Sequence, residues 1–83
     1  MEIFVTAHRH GLTNEEISHA WNNSIGFYTI DEDTDPPKGL CIGPDTAGNL
    51  LEILYLEINQ EQLVIHAMSL RPVFRAYLTG DKP

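Results

Sequence analysis

The sequence predicts a small α+β domain with the element order α-α-β-β-β-β-α. An antiparallel sheet of about four strands is expected to be covered on one face by two N-terminal helices and one C-terminal helix. Three observations predict this fold: a helix-capping sequence at Thr13, four runs rich in β-branched and aromatic residues between positions 25 and 68, and apolar residues at helical spacing near the end. The chain has 83 residues, so we expect residues 1–83 to form a single domain with one core.

The two N-terminal helices are expected on either side of a glycine. Residues 3–9 can form two short helical turns, which Gly11 would end because glycine adopts the left-handed conformation without strain. Thr13 can cap the second helix, with Glu16 as the reciprocal partner in a capping box. The second helix is therefore predicted to start at Asn14.

Four strands are expected, at residues 25–30, 39–43, 50–58 and 62–68. Turn formers at positions 44–49 predict a hairpin between the second and third strands. The third strand is apolar on both faces, which is typical of a strand at the centre of a sheet. In the fourth strand, strict alternation places His66 on the same, less apolar face as Val64 and Met68.

The last helix is predicted to begin around residues 69–72, because proline is tolerated in a first helical turn. Two pairs of apolar side chains at helical spacing follow and would pack it against the sheet. Residues 79–83 are expected to be a frayed tail.

Positive charge is segregated along the chain, whose formal net charge is −7. All three arginines and three of the four histidines fall within residues 7–11 and 65–75. Residues 29–59 carry seven acidic side chains against one lysine, Lys38. If the two basic windows meet in the fold, they form one cationic spot on an otherwise acidic body.

Composition narrows the classes of protein that fit this chain. No apolar run approaches the roughly 20 residues needed to span a bilayer, so no membrane association is expected. The first residues lack the basic region and long apolar stretch of a signal peptide, which favours a cytoplasmic location. Cys41 is a single cysteine, so we expect a buried thiol without an internal disulfide or a zinc pair. A core of this size gives limited stability, so a homodimer is also compatible with the sequence.

Both ends of the chain carry short motifs that can be compared with a known family. Residues 50–68 end in Ile-His-Ala-Met and are followed by Arg71 and Arg75. They resemble the end of the BrnT toxin family, where a hairpin leads into a Ser-Ala-Arg motif and a basic helix. At the front, the run Arg-His-Gly-Leu-Thr at residues 9–13, with acidic residues just after it, resembles the family's Lys-His-Gly-Val-Ser.

The resemblance implies a RelE-like or barnase-like ribonuclease fold and a type II toxin that cleaves RNA. It also implies a partner, a ribbon-helix-helix antitoxin that neutralises the toxin. Met68 and Phe74 stand where the family carries an arginine and a glutamate, so two charged positions of its site are absent from this chain.

The residues themselves suggest how RNA could be cleaved without a metal. The reaction needs a base for the 2′-hydroxyl proton, an acid for the leaving oxygen, and cations that stabilise the phosphorane. Histidine suits both proton roles and arginine suits the third, because its planar fork matches phosphate oxygens. The candidate catalytic residues are His10, His66, Arg71 and Arg75, and the candidate substrate-binding residues are His8 and Arg9. No metal ion or other cofactor is expected.

Other interpretations of the same residues stay open. Arg71 and Arg75 could pair with acidic side chains of the sheet. His66 could be a half-buried residue that only makes a hydrogen bond. A zinc site built from His8, His10 and His66 is also conceivable, although this spacing matches no ligand pattern.

Two functions of different classes therefore remain. The first is a toxin-like, metal-independent endoribonuclease that acts on RNA. The second is a non-catalytic, acidic protein-binding domain, a degenerate toxin that only binds a partner or regulates its own locus. The sequence pI of about 4.8 favours the second function, because phosphate contacts dominate RNA affinity and favour basic proteins. The family resemblance favours a toxin lineage, but lineage does not establish chemistry.

Overall fold

The computed structural model describes residues 1–80, which form one five-stranded mixed sheet with helices packed on both faces. In chain order the elements are β1 (Glu2–Ile3), a 3-10 turn (Val5–His8), α1 (Asn14–Asn22), β2 (Gly26–Asp31), β3 (Lys38–Pro44), β4 (Leu50–Ile58), β5 (Glu61–Ser69) and α2 (Pro72–Thr79). The strands lie in the order β1-β5-β4-β3-β2, with β1 parallel to β5 and all other neighbours antiparallel. The expected fold of three helices on four antiparallel strands is therefore wrong.

The predicted helix at residues 3–9 is replaced by β1 and the 3-10 turn. Ile3 pairs with Val64 along the free edge of β5, and the Phe4 amide donates to the Val64 carbonyl at 2.8 Å. Three of the first six residues, Ile3, Val5 and Thr6, are β-branched and lose side-chain freedom in a helix. The turn also lacks a side-chain cap. Pairing with the open edge of β5 is therefore more stable for these first residues than a short, uncapped helix.

The two α-helices lie on opposite faces of the sheet. The 3-10 turn and α1 cover one face through a core that includes Ala7, Ile17 and Ile53. Helix α2 covers the other face, where Phe74 packs on a second core around Leu40. The expectation of helices on a single face is wrong because β3 and β4 are apolar on both faces, and each face needs cover from water.

Two local predictions are confirmed. Thr13 and Glu16 form the capping box, with the Glu16 amide donating to the Thr13 hydroxyl at 3.1 Å and the Thr13 amide to the Glu16 carboxylate at 3.0 Å. Strands β3 and β4 form the predicted hairpin, and Asp45 closes its turn by accepting from the amides of Ala47 and Asn49. Cys41 lies buried in β3, and burial raises the pKa of its thiol to about 12.

The predicted alternation of β5 is wrong at one point. Opposite the consecutive residues Leu54 and Tyr55 of β4 lie His66 and Val64, so one extra residue of β5 bulges out between these pairs. Val64 therefore turns to the α1 face and is fully buried there, while His66 stays on the α2 face. Of the expected frayed tail, residues 81–83 lie outside the described part of the chain.

Candidate functional site

Glu52, in the central strand β4, is the one fully buried charged side chain among residues 1–80. Glu52 lies two positions from both Leu50 and Leu54, so it is on the same face of the strand as they are. That face is the one covered by α2. A buried carboxylate is costly unless cationic and hydrogen-bonding partners surround it. Both of its oxygens are in fact partnered, and these partners come from β5 and from the start of α2.

Arg71 holds Glu52 through its main chain and its side chain. Its backbone amide donates to Oε1 at 2.8 Å, Nε donates at 3.0 Å to each oxygen, and Nη2 donates to Oε2 at 2.7 Å. Arg71 also occupies the N-cap position of α2, without a side-chain capping bond, and its guanidinium lies 5.4 Å from the centre of the Phe74 ring. The two-pronged ion pair therefore fixes where α2 begins on the sheet.

His66 is the third member of this cluster, which we call the Glu52 cluster (Glu52, His66 and Arg71). Its Nε2 lies 2.9 Å from Oε2 of Glu52, and a carboxylate can only accept at that distance, so Nε2 carries a proton. If the ring is neutral, Nδ1 is then the basic nitrogen. Nδ1 has no hydrogen-bond partner among the described residues, and the side chain is 22% exposed. A buried carboxylate thus orients a histidine whose other nitrogen is open.

His10 extends the cluster at the surface. It follows the 3-10 turn, and its ring centre lies 5.2 Å from that of His66 in an edge-to-face arrangement at 76°. His10 is exposed, whereas His66 is half-buried. The two basic windows of the sequence therefore meet at a pair of histidine rings.

The charge state of the cluster follows from its hydrogen bonds. Burial by itself would raise the pKa of Glu52, but the bonds from the Arg71 side chain, the Arg71 amide and His66 together hold that pKa below its ordinary value. The same ion pair raises the pKa of Arg71. Glu52 is therefore a carboxylate that accepts hydrogen bonds, and it cannot serve as a proton donor near neutral pH.

Acid is expected to destabilise the protein through Glu52. Because the folded-state pKa lies below the ordinary 4.5, the unfolded chain takes up the proton first as the pH falls. The stabilisation is present above about pH 4.5 and is lost as the pH falls through the folded-state pKa. Urea denaturation of Glu52→Gln should show a shallower loss of stability below pH 4.5 than the wild type. The exposed carboxylate of Glu61 provides the control variant, Glu61→Gln, and a Glu52→Gln slope equal to that of the wild type would contradict the assignment.

The remaining sequence candidates lie outside the Glu52 cluster. Arg75 is exposed on α2, one helical turn beyond Arg71, and no hydrogen bond or ion pair within residues 1–80 joins it to Glu52. Nδ1 of His8 lies 2.8 Å from the Leu12 carbonyl, and His8 and Arg9 line a surface pocket beside the 3-10 turn. Within residues 1–80, no group of three or more histidine, cysteine or acidic side chains is placed to hold a metal ion.

Glu52 is the residue of the cluster that sequence reasoning missed. A signal was present, because a single acid stands near the start of the apolar run that forms β4, at a position where its neighbours are buried. An acid in a central strand indicates a buried partner. The interpretation that Arg71 and Arg75 pair with acids of the sheet is confirmed for Arg71, whose partner is Glu52. Arg75 makes no ion pair among the described residues.

Comparisons with protein-family models, curated proteins and solved structures gave no match. Neither helix in the described part of the chain has the length and apolar character needed to cross a bilayer. The fold and the cluster thus define a small α+β domain with a carboxylate-oriented histidine at its surface.

Proposed function

We propose that this protein is a metal-independent endoribonuclease of the toxin class, with its site at His66, His10 and Arg71. One observation carries the proposal: a fully buried carboxylate holds one nitrogen of His66 and leaves the other without a partner among the described residues, and the His66 ring centre lies 5.2 Å from that of His10. A carboxylate that fixes the tautomer and orientation of a histidine is the arrangement by which catalytic triads prepare a general base.

In the proposed reaction one histidine accepts a proton and the other donates one. Nδ1 of His66 takes the proton of an RNA 2′-hydroxyl, and the 2′ oxygen forms a bond to the adjacent phosphorus. The bond from phosphorus to the 5′ oxygen breaks, and protonated His10 donates its proton to that leaving oxygen. The products are a 2′,3′-cyclic phosphate and a 5′-hydroxyl. One phosphorus–oxygen bond has formed and one has broken, and one proton has been taken up and one released. His66 then releases its extra proton to water and His10 takes one up from water, so both histidines return to their starting protonation states.

Arg71 and Glu52 prepare the site in different ways. Nη1 of Arg71 has no partner among the described residues, and the side chain is 46% exposed, so this end of the guanidinium can meet a phosphate oxygen. Glu52 does not touch the substrate in this scheme and is a positioning residue. Arg75, exposed on the same helix, supplies a second cation for the RNA backbone.

The resemblance to BrnT supports a wider role for this chemistry. We place the protein in the cytoplasm as the toxin of a toxin-antitoxin pair, with a ribbon-helix-helix protein as the antitoxin. The formal net charge of −7 favours a second candidate, a degenerate toxin that binds the partner without cleaving RNA, because acidic bodies repel nucleic acid. The two candidates differ in one observable, the fate of RNA.

Expression in a bacterium without the antitoxin is expected to slow growth and degrade cellular RNA. The variant His66→Gln should restore growth and intact RNA, because it keeps a donor for Glu52 and removes the base. His19→Gln is the matched control and should behave as the wild type, because His19 lies on α1, away from the Glu52 cluster. Normal growth and intact RNA with confirmed wild-type expression would support the binding domain instead.

A further inference from the structure

The sheet has two edges, and the edge formed by β2 is open. Strand β2 has six residues, about 20 Å of chain, whereas β1 at the other edge has two. Within residues 1–80, the backbone of residues 26–30 forms hydrogen bonds with β3 alone. The strand contains no lysine or proline, two residues that commonly protect such an edge from pairing. The outer side of β2 is therefore able to accept another strand.

The backbone groups that point outward belong to Phe27 and Thr29. The Ile25 amide donates to the Ile42 carbonyl at 2.7 Å, so Ile42 turns its backbone groups towards β2. Backbone groups alternate along a strand, so every second residue of β3 from Ile42 does the same, and Tyr28 lies opposite one of them. Because Phe27 and Thr29 flank Tyr28, their amides and carbonyls point away from the sheet.

Exposed apolar side chains accompany this open backbone. Ile25 is 57% exposed and Phe27 is 47% exposed. On the other face of β2 the Tyr28 ring lies over Gly26, where a Cβ would be 2.5 Å from the Tyr28 hydroxyl oxygen. The same ring packs on Tyr77 of α2, with ring centres 5.3 Å apart. The strand is therefore held in place on the sheet before a partner arrives, which lowers the entropic cost of binding.

The open strand leads into an acidic loop. Four exposed carboxylates lie at its end, those of Asp31, Glu32, Asp33 and Asp35. None of them makes an ion pair among residues 1–80. A basic segment is complementary to this end of the edge, whereas a second copy of the chain would bring a formal net charge of −7 against −7.

We propose that β2 binds an extended, basic segment of another protein as an additional antiparallel strand. In this mode the outward backbone groups of Phe27 and Thr29 supply hydrogen bonds, and an apolar side chain of the segment packs beside the Phe27 ring. Antiparallel pairing is slightly more stable per residue than parallel pairing. It also places the first residues of the segment next to the acidic loop, so its lysines or arginines belong at its N-terminal end.

This surface is separate from the Glu52 cluster. The cluster lies on β4, on β5 and at the start of α2, and β3 separates β4 from β2. The proposal goes beyond the ribonuclease and does not depend on RNA cleavage. Peptide binding and RNA cleavage are measured independently, and either proposal can fail alone.

The probe is the acetylated peptide Lys-Lys-Thr-Val-Thr-Val-Thr with a C-terminal fluorescent label, and it is expected to show saturable binding by fluorescence anisotropy. Moving both lysines to the C-terminal end should weaken binding by about 5-fold, because they then lie far from the acidic loop. Methylating the backbone nitrogens of one alternate set of residues should abolish binding. Methylating the other set should leave it unchanged, because only every second amide faces β2.

The double variant Glu32→Gln and Asp33→Asn should weaken binding of this peptide by about 5-fold, because it removes two exposed charges beside the edge. The matched control is Glu2→Gln with Glu61→Gln, which removes two exposed carboxylates at the opposite edge and should bind as the wild type does.

No saturable binding, equal binding of the two lysine placements, or equal binding of the two methylated peptides would overturn the proposal. Thr29→Pro removes an outward amide, a change that an edge strand tolerates. A wild-type protein that is a dimer by light scattering and a monomer as Thr29→Pro would show that a second copy occupies β2, which would also overturn the proposal.

Discussion

Replacing Arg71 with alanine is expected to lower the free energy of unfolding by about 3 kcal/mol. Removing one partner of a buried ion pair typically costs ~3–5 kcal/mol, because the other charge is left without compensation. Glu52 is fully buried and would lose every hydrogen bond from the Arg71 side chain. The lower end of the range applies for two reasons. The Arg71 side chain is 46% exposed, so water can replace part of its contact, and His66 and the backbone amide at position 71 can still donate to Glu52. Urea denaturation near neutral pH measures this loss.

Arg75→Ala is the matched control for Arg71→Ala. Both residues are arginines of the same segment, but Arg75 is exposed and has no ion pair among the described residues. Its replacement should change the free energy of unfolding by less than about 0.5 kcal/mol. If the two variants lose equal stability, Glu52 is not held mainly by Arg71.

Replacing His66 with glutamine is expected to lower the rate of RNA cleavage by about 10²- to 10⁴-fold, the usual contribution of a general base. Glutamine can still donate to Glu52, so the fold should survive, and circular dichroism would verify this. His19→Gln should cleave as fast as the wild type. Glu52→Gln should slow cleavage less than His66→Gln, because Glu52 acts only by positioning the ring. A folded His66→Gln protein with the wild-type rate would remove His66 from the site.

Local signals in the sequence predicted the elements that local chemistry controls. The capping box at Thr13 placed the start of α1, and the turn formers around Asp45 placed the hairpin of β3 and β4. The N-terminal strand could not be predicted in this way, because a strand as short as Glu2–Ile3 shows no periodicity in the sequence. It is a strand only because β5 offers it an unpaired edge. The face chosen by α2 also depends on the whole sheet and is not encoded in the helix itself.

Part of the candidate site could be predicted from the sequence. His66 and Arg71 stood out because cations are rare in this chain, and both contact the same carboxylate. Glu52 was one of seven acids in residues 29–59, and which residues it meets depends on the register of β4 against β5. The bulge that moves Val64 to the α1 face, while His66 stays on the α2 face, cannot be predicted from a strictly alternating pattern. Whether Arg75, His8 and Arg9 bind RNA stays a prediction.

The most direct measurement is the cleavage of end-labelled RNA by the purified wild-type protein in excess EDTA. The proposed chemistry predicts fragments that end in a 2′,3′-cyclic phosphate and begin with a 5′-hydroxyl, because the 2′ oxygen is the nucleophile and no metal is required. RNA that stays intact with folded protein, or cleavage that leaves a 5′-phosphate, would contradict a His66 and His10 ribonuclease.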